Sequence, residues 1–235
     1  MWGRVKTALS MLAVWAVTGC ASLPTIPETG AWHAVRLPGK PITEYRRDLK
    51  DGRPAWSASA QRSASMWRRA KPPNSAPPTD LSFSWRVDRL PQGGSVTDPA
   101  RDDAASRLVL AFDGDLERLS PRNRMLFDLA HSLTGEAPPF ATLMYVWDAE
   151  APVGTVVISQ RSDRIRKIVV ESGQAHLGQW RHYRRNVAAD YLAAFGEPAG
   201  AWLAVALMTD ADNTGTQATA WYGEIAPYGE SLPMR

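Results

Sequence analysis

Residues 81–87 read Leu-Ser-Phe-Ser-Trp-Arg-Val, and they decide the fold class because apolar and polar side chains alternate along them. Leu81, Phe83, Trp85 and Val87 fall on one face of an extended chain. A period of two is typical of a β-strand with one face in the core. Similar runs occur at 106–112, 141–147, 153–159, 165–171, 202–209 and 217–225. Many short strands with few helices between them predict a mainly β protein, either a sandwich or a barrel.

Two segments have helical periodicity instead. The first begins with an N-cap and a proline at Ser120-Pro121 and ends at Gly135. Its apolar stripe consists of Leu126, Leu129, Ala130 and Leu133. The second runs from about Asn186 to Gly196, and its stripe consists of Val187, Tyr191, Leu192 and Phe195. Both helices are predicted to cap the ends or edges of the β structure, with their stripes in the core.

The N-terminal residues have the order of a secretory signal. Arg4 and Lys6 precede an apolar stretch from Ala8 to Val17, and small residues follow it up to Cys20. The apolar stretch is about half of the roughly 20 residues that span a bilayer. Residues 1–19 are therefore predicted to be a cleaved signal peptide rather than a transmembrane helix.

Cys20 is the single cysteine of the chain, and Val17-Thr18-Gly19-Cys20 resembles the bacterial lipobox. The resemblance implies that Cys20 becomes the mature N-terminus and carries a diacylglycerol thioether and an amide-linked acyl chain such as palmitate. Several acyl chains anchor a protein stably to a membrane. Because Ala21 follows the cysteine, the resemblance also implies an outer-membrane lipoprotein facing the periplasm. The alternative is an ordinary secreted protein with an unmodified cysteine.

The rest of the chain is predicted to form one domain. Residues 20–31 contain Pro24, Pro27 and Gly30 and are predicted to be a spacer, and residues 32–235 a single β-sandwich domain. A run of prolines at 71–78 predicts a surface loop. The whole chain has 27 Lys and Arg against 24 Asp and Glu, and removal of two basic residues with the signal leaves it nearly neutral. Nucleic-acid binding therefore lacks its usual basic footprint.

Several longer strings resemble the family catalogued as domain of unknown function 3047. They are Leu81–Val87, Asp102-Asp103 before Arg107, Ala141–Trp147, Arg164–Gly173, Leu177–Trp180 and Met208–Thr214. The resemblance covers nearly all of the chain after Trp32. It implies an exported, jelly-roll-like antiparallel β-sandwich with two short helices, similar in architecture to non-catalytic carbohydrate-binding modules. It carries no established activity, so function must be argued from the site.

Aromatic residues on the predicted strands suggest a glycan site. Sugar binding needs flat aromatic faces against pyranose C–H groups and polar partners for the hydroxyls. If the strand face is open to solvent, the candidate ligand-binding residues are Trp85, Arg86, Asp103, Tyr145, Trp147 and Arg166. The alternative is that the aromatic rings belong to the core, where Trp and Tyr often make the largest contacts.

Residues 210–215 read Asp-Ala-Asp-Asn-Thr-Gly and resemble the start of a calcium loop. The twelfth position is Trp221, where an EF-hand has a bidentate glutamate, so that motif is incomplete. A structural calcium held by Asp210 and Asp212 is the one cofactor that the sequence suggests. A polar hairpin turn explains the same residues without metal.

An enzyme is the second hypothesis. Asp113, Asp115 and Glu117 would share one face of a strand, as the paired carboxylates of a glycosidase must. Gly114 and the helix that follows indicate instead that the strand ends at Phe112. The catalytic motifs with fixed spacing, such as G-x-S-x-G and H-E-x-x-H, do not occur in the sequence.

Basic clusters add a possible acidic partner. They comprise Arg161, Arg164, Arg166 and Lys167, followed by Arg181, Arg184 and Arg185. They suit an acidic envelope glycan or lipid phosphate, or they pair with nearby carboxylates as a solvated surface. The sequence thus favours a lipid-anchored, non-catalytic glycan-binding sandwich. A glycoside hydrolase or lyase on the same fold and an envelope scaffold that docks another protein stay open as alternatives.

Overall fold

The computed structural model of the protein describes residues 30–227. The predicted signal peptide, Cys20 and nearly all of the predicted spacer lie outside the described residues. The strands are β1 (Trp32–Arg36), β2 (Glu44–Lys50), β3 (Arg53–Gln61), β4 (Ala64–Ala70), β5 (Leu81–Arg89), β6 (Ser106–Phe112), β7 (Ala141–Asp148), β8 (Val156–Ile158), β9 (Ile165–Ser172), β10 (Trp180–Arg185), β11 (Trp202–Asp210) and β12 (Gln217–Pro227). The α-helices are α1 (Pro121–Thr134) and α2 (Val187–Phe195), and short 3-10 turns lie at Pro99–Arg101 and Leu116–Arg118.

The strands form two sheets. The seven-stranded sheet has the order β1-β4-β11-β6-β7-β9-β8, and the five-stranded sheet has the order β10-β5-β12-β3-β2. The mainly β, jelly-roll-like sandwich with two helices is therefore confirmed. The strand pairs are antiparallel with one exception, since β7 and β9 run parallel. The segment between them, which includes the short edge strand β8, supplies the return connection that a parallel pair needs.

The core lies between the sheets and explains the alternation in β5. Leu81, Phe83, Trp85 and Val87 are all buried. Phe83 stacks on Tyr145 of β7 across the sheet interface, with ring centroids 5.5 Å apart. Full burial of one such side chain contributes about 1.5–3 kcal/mol. The intervening polar residues of β5 consequently face away from the core, on the outer face of the five-stranded sheet.

Both predicted helices are present with the predicted caps. The Ser120 hydroxyl accepts a hydrogen bond from the Asn123 amide at 3.2 Å, and Gly135 ends α1 with a φ of 73°. Asn186 caps α2 through the Ala189 amide at 3.0 Å. Among the described helices, none is long and apolar enough to cross a membrane.

Helix α1 is linked to the seven-stranded sheet near both of its ends. Its first turn donates a hydrogen bond from Asn123 to Asp163, just before β9. At its other end Glu136 pairs with Arg68 of β4 at 2.8 Å. Four strand spacings separate β9 from β4, about 19 Å, and a helix of 14 residues spans about 21 Å.

The predicted core stripe of α1 is only partly correct. Leu126 and Ala130 are half-buried, whereas Leu129 and Leu133 are 52% and 67% exposed. The buried Asn123 turns the helix so that one flank of the apolar stripe points outward. The first turn is thus held by a polar contact rather than by the leucines.

Candidate functional site

The expected stacking platform of Trp85, Tyr145 and Trp147 does not form, because all three rings lie in the core and are fully buried. Their polar atoms are satisfied there. Trp147 donates to the Gly173 carbonyl at 3.0 Å, and the Tyr145 hydroxyl donates to Asp190 at 2.6 Å. These rings stabilise the sandwich and offer no face to a sugar, which corrects that prediction.

Asp103 and Arg166 also lie away from an open surface. Asp103 is buried and accepts hydrogen bonds from the Asn213 amide at 3.1 Å and the Thr214 amide at 2.7 Å. Asp103 therefore stabilises the conformation of the loop after β11. Arg166 is half-buried beside Phe195 of α2, with the guanidinium 5.4 Å from the ring centroid. The predicted set of partners is thus dispersed, and Arg86 lies on the outer face of the five-stranded sheet.

Arg86 stands between two tryptophans on the outer face of the five-stranded sheet. It pairs across the sheet with Trp180 of β10 on one side and with Trp221 of β12 on the other. The Cα positions of the two tryptophans are therefore two strand spacings apart, about 10 Å. Both are partly exposed. We call this row of Trp180, Arg86 and Trp221 the aromatic face.

Two carboxylates fix the geometry of the aromatic face. Arg86 donates to Asp51 at 2.9 Å and to Asp88 at 2.7 Å. Asp51 also accepts from the Trp180 indole at 3.0 Å, and Asp88 accepts from the Trp221 indole at 3.0 Å. Each carboxylate thus links the central guanidinium to one ring. Both rings are held by their N–H edges before any ligand arrives.

The turn between β2 and β3 forms one wall of this surface. Asp51 and Gly52 have φ angles of 54° and 73°, which suit a tight hairpin. The turn carries Lys50 over the Trp221 ring at 5.0 Å and Arg53 toward the Trp180 ring at 5.8 Å. Cations over indole faces contribute about 0.5–1 kcal/mol each at exposed sites and add to the order of the rings.

The Asp88 carboxyl of β5 stays ionised around neutral pH. Burial of Asp88 opposes its ionisation, but hydrogen bonds from Arg86 and Lys50 outweigh that effect and lower the pKa of the carboxyl. Asp88 is therefore an ionised acceptor and not a proton donor. The aromatic face is suited to hydrogen bonding and stacking rather than to general acid chemistry.

A groove of about 340 Å³ runs beside Trp180. Its lining includes Ser82, Ser84, His182 and Glu224, which offer hydroxyl, imidazole and carboxylate partners. Gly223 keeps the groove open, because a Cβ there would come within 3.3 Å of the Trp180 ring. A larger hollow of about 740 Å³ at one end of the sandwich has a polar lining without an aromatic ring.

A second polar site lies on the outer face of the seven-stranded sheet. Three strings that carry the family resemblance meet there and contribute Asp102, Arg107, Lys167 and Asp210. Arg107 donates to the two Asp210 oxygens at 2.9 Å each and to Asp102 at 3.1 Å, and Lys167 pairs with Asp102. We call these four residues the buried charge cluster.

Burial and mutual attraction set the pKa values in this cluster. Burial raises the pKa of Asp210 to about 6, against the lowering effect of Arg107. Burial opposes the charge of Arg107, but Asp210 and Asp102 outweigh it and raise the pKa of the guanidinium. Burial, reinforced by Arg107, lowers the pKa of Lys167. The pKa values of the buried charge cluster should therefore change when another charged group enters the pocket beside it.

The predicted calcium ligands Asp210 and Asp212 lie together with Asp103, with one oxygen of each within 4.8 Å of the others. Protein donors already contact these carboxylates. Arg107 binds Asp210, Lys40 binds Asp212, and backbone amides bind Asp103. A calcium ion would have to displace two cations, so the donor set fits a hydrogen-bonded turn better than a metal centre.

The carboxylates of the enzyme hypothesis do not form a pair. Asp113 accepts from the Gly114 amide at 2.8 Å, and Asp115 caps the following turn through the Glu117 amide at 2.9 Å. Strand β6 ends at Phe112, as Gly114 indicated. Both side chains therefore order a loop rather than flank a cleft.

Most residues of the two basic clusters pair with carboxylates. Arg164 binds Glu197, Arg181 binds Glu171, Arg184 binds Asp80 and Arg185 binds Asp190. Sequence reasoning missed the roles of Trp180 and Trp221. Trp221 lies between the buried residues Ala220 and Tyr222, so its alternation was visible but did not say which face is buried. Trp180 begins β10, a strand rich in arginine that the apolar pattern did not predict.

The chain is similar to one described protein family and, at low identity, to solved structures. No curated protein matches the sequence. The xyloglucanase domain of NopAA, a type three effector from Sinorhizobium fredii in complex with cellobiose, is 8% identical at a TM-score of 0.41, covering 85% of this chain and 98% of that chain. The family 11 xylanase from Neocallimastix patriciarum is 10% identical at a TM-score of 0.36, covering 83% and 98%. The family model described as "Protein of unknown function (DUF3047)" matches residues 30–226, so the chain belongs to that family.

Proposed function

We propose that the protein binds a glycan, without turning it over, through the aromatic face of the five-stranded sheet. The observation that carries the proposal is the cross-strand row in which Arg86 separates two partly exposed tryptophans. Indole rings stack on the apolar C–H faces of pyranose rings. A spacing of about 10 Å lets one extended chain touch both rings.

The polar surroundings suit sugar hydroxyls. Ser82, Ser84 and His182 line the groove beside Trp180, and Glu224 adds an acceptor. The ring of Trp180 is already oriented by its bond to Asp51. Pre-ordered groups lose little conformational entropy when a ligand binds, which favours affinity.

Binding is favoured over hydrolysis by the state of the nearby carboxylates. Asp51 and Asp88 both accept charge-assisted hydrogen bonds from Arg86. A glycosidase needs one carboxyl that keeps a proton and delivers it to the leaving group. Hydrogen bonds from Arg86 and Lys50 lower the pKa of Asp88, against the opposing effect of its burial, so Asp88 does not meet that need.

A glycan array tests this proposal. We expect wild-type protein to give a selective signal and the Trp180→Ala variant to lose about tenfold or more in affinity, which is about 1.4 kcal/mol, because the substitution removes the apolar ring on which a pyranose would stack. Trp221→Ala should weaken longer oligosaccharides more than short ones. Leu129→Ala, which removes exposed apolar surface from α1, is the matched control.

Two results would overturn the binding proposal. One is a featureless array for the wild type, and the other is a signal that persists when both tryptophans are replaced. Reducing-end release from a bound oligosaccharide would instead support the hydrolase alternative. That assay is run on the same protein with the Asp115→Asn variant as its comparison.

We also propose that lipid on Cys20 anchors the protein at the outer membrane, facing the periplasm. The support is the order of charged, apolar and small residues before the single cysteine. Labelled palmitate should enter the wild type and not Cys20→Ser, and the variant should leave the membrane fraction. A wild-type product that stays soluble with its leader attached would contradict this proposal.

A further inference from the structure

The pocket above the buried charge cluster collects positive charge from four segments of the chain. Lys40 comes from the β1–β2 connection, Arg107 from β6, Arg161 from the β8–β9 connection and Lys167 from β9. All four line one pocket of about 80 Å³. It lies on the other side of the sandwich from Trp180, so it is separate from the proposed glycan surface.

Hydrogen-bond donors in this pocket outnumber the acceptors that reach them. Lys167 is 3% exposed, and its ammonium has three N–H groups but, among the described residues, a hydrogen bond to Asp102 alone. Arg107 is 2% exposed and donates through Nε and Nη2. Within the described chain its Nη1 has no acceptor. Because Arg107 Nη1 is not among the fully enclosed unpaired atoms of the described chain, an acceptor that enters the pocket can reach it and form a charge-assisted hydrogen bond.

The positive and negative side chains around the pocket are balanced in number. Four cationic side chains face the carboxylates of Asp102, Asp210 and Asp212, and an Asp103 oxygen lies within 4.8 Å of the Asp210 and Asp212 oxygens. Arg161 is exposed at the rim, and in the part of the chain that the structure describes it makes no ion pair. An anionic group at the mouth would therefore meet Arg161 and Lys167 together.

The size and the walls of the pocket define the ligand class. A water molecule occupies about 30 Å³ of liquid, so the pocket holds a small group and not a sugar ring. Met144, Ile165 and Met208 supply apolar wall, which strengthens hydrogen bonds to charge inside it. A tetrahedral or planar oxyanion has the required number of acceptors.

We propose that this pocket binds a small oxyanion, namely a sulfate, phosphate or carboxylate group, through Lys167, the free Nη1 of Arg107, and Arg161. The group can be a free ion or a substituent on a larger ligand. Both sources present the same chemistry to the same three cations. This site is independent of the glycan surface and stands if that proposal fails.

Calorimetric titration tests the inference. The full chain, with Cys20→Ser to keep it in solution, is titrated with sodium sulfate, inorganic phosphate and glucuronate at low chloride, and with glucose as the uncharged comparison. We expect saturable binding of at least one oxyanion and none of glucose. Lys167→Met should reduce the affinity about tenfold or more, as loss of a charge-assisted hydrogen bond implies.

Arg161→Gln keeps the test decisive if Lys167→Met fails to fold, because Arg161 is exposed. It should weaken oxyanion binding several-fold, while Arg46→Gln on the opposite sheet should not. Trp180→Ala should leave oxyanion binding unchanged. Absence of saturable binding overturns the proposal, and so does an equal loss in Arg46→Gln, since that would indicate unspecific charge. Binding of glucuronate or phosphate alone identifies which oxyanion the pocket takes.

Discussion

Replacement of Asp210 by asparagine should change how stability depends on pH. The carboxyl is fully enclosed by β6, β11 and the loop before β6, and burial raises its pKa to about 6 in the folded protein. In the unfolded chain it titrates near the ordinary value of 3.8. The folded protein therefore holds this proton more tightly than the unfolded chain does.

The direction and size of the change in unfolding free energy with pH follow from this difference in the Asp210 pKa. The stabilisation is present below about pH 4 and is lost as the pH rises through about 6, because ionisation is then easier in the unfolded chain. A shift of about two pH units corresponds to about 3 kcal/mol. The free energy of unfolding of the wild type, minus that of Asp210→Asn, should therefore fall by about 3 kcal/mol between pH 3.5 and pH 7.

Urea unfolding followed by tryptophan fluorescence measures both proteins at each pH, and subtraction removes the titration of groups that do not interact with Asp210. Asp48→Asn is the control, since Asp48 is exposed on β2 in the other sheet. A difference that stays flat or rises with pH would refute the reasoning. It would show that the two bonds from Arg107 hold the Asp210 pKa at or below its ordinary value.

Three further predictions concern packing. Trp85→Ala should lower the free energy of unfolding by about 3–5 kcal/mol in urea titration, because a buried ring is lost from the core; a loss below 1 kcal/mol would place that ring outside the core. Gly223→Ala should cost about 1–3 kcal/mol, since its Cβ would lie 2.3 Å from the Ser84 hydroxyl, and adding Ser84→Ala should restore most of the loss. Leu129→Ala should change stability by less than about 0.5 kcal/mol, because the side chain is 52% exposed, and a larger loss in thermal unfolding would contradict its outward orientation.

The strands with strong alternation were predictable. Strands β5, β6, β7, β9, β11 and β12 coincide with predicted runs, because their inner faces carry large apolar residues. Strands β1 to β4 and β10 were not predicted. Strand β2 reads Glu-Tyr-Arg-Arg-Asp-Leu-Lys and lies at the edge of its sheet, where little apolar surface is needed. The parallel pairing of β7 and β9 depends on a chain connection that no local pattern encodes.

The candidate sites were predictable in part. The stretches of sequence that carry the family resemblance contain Asp102, Arg107, Lys167 and Asp210. These residues meet only because β6, β9 and β11 lie in one sheet. The tryptophan content suggested an aromatic surface, but the chosen rings were Trp85 and Trp147. The rings that face outward are Trp180 and Trp221, and both lie opposite Arg86 on neighbouring strands.

The order of apolar and polar residues by itself determined that the chain is mainly β, where its two helices begin and end, and that Trp85 and Arg86 point in opposite directions. Tertiary structure alone decided which of those directions is the core. An alternating strand has two faces that are equivalent until a second sheet covers one of them. Because the seven-stranded sheet covers Trp85, the face with Arg86, Trp180 and Trp221 is the one left toward solvent.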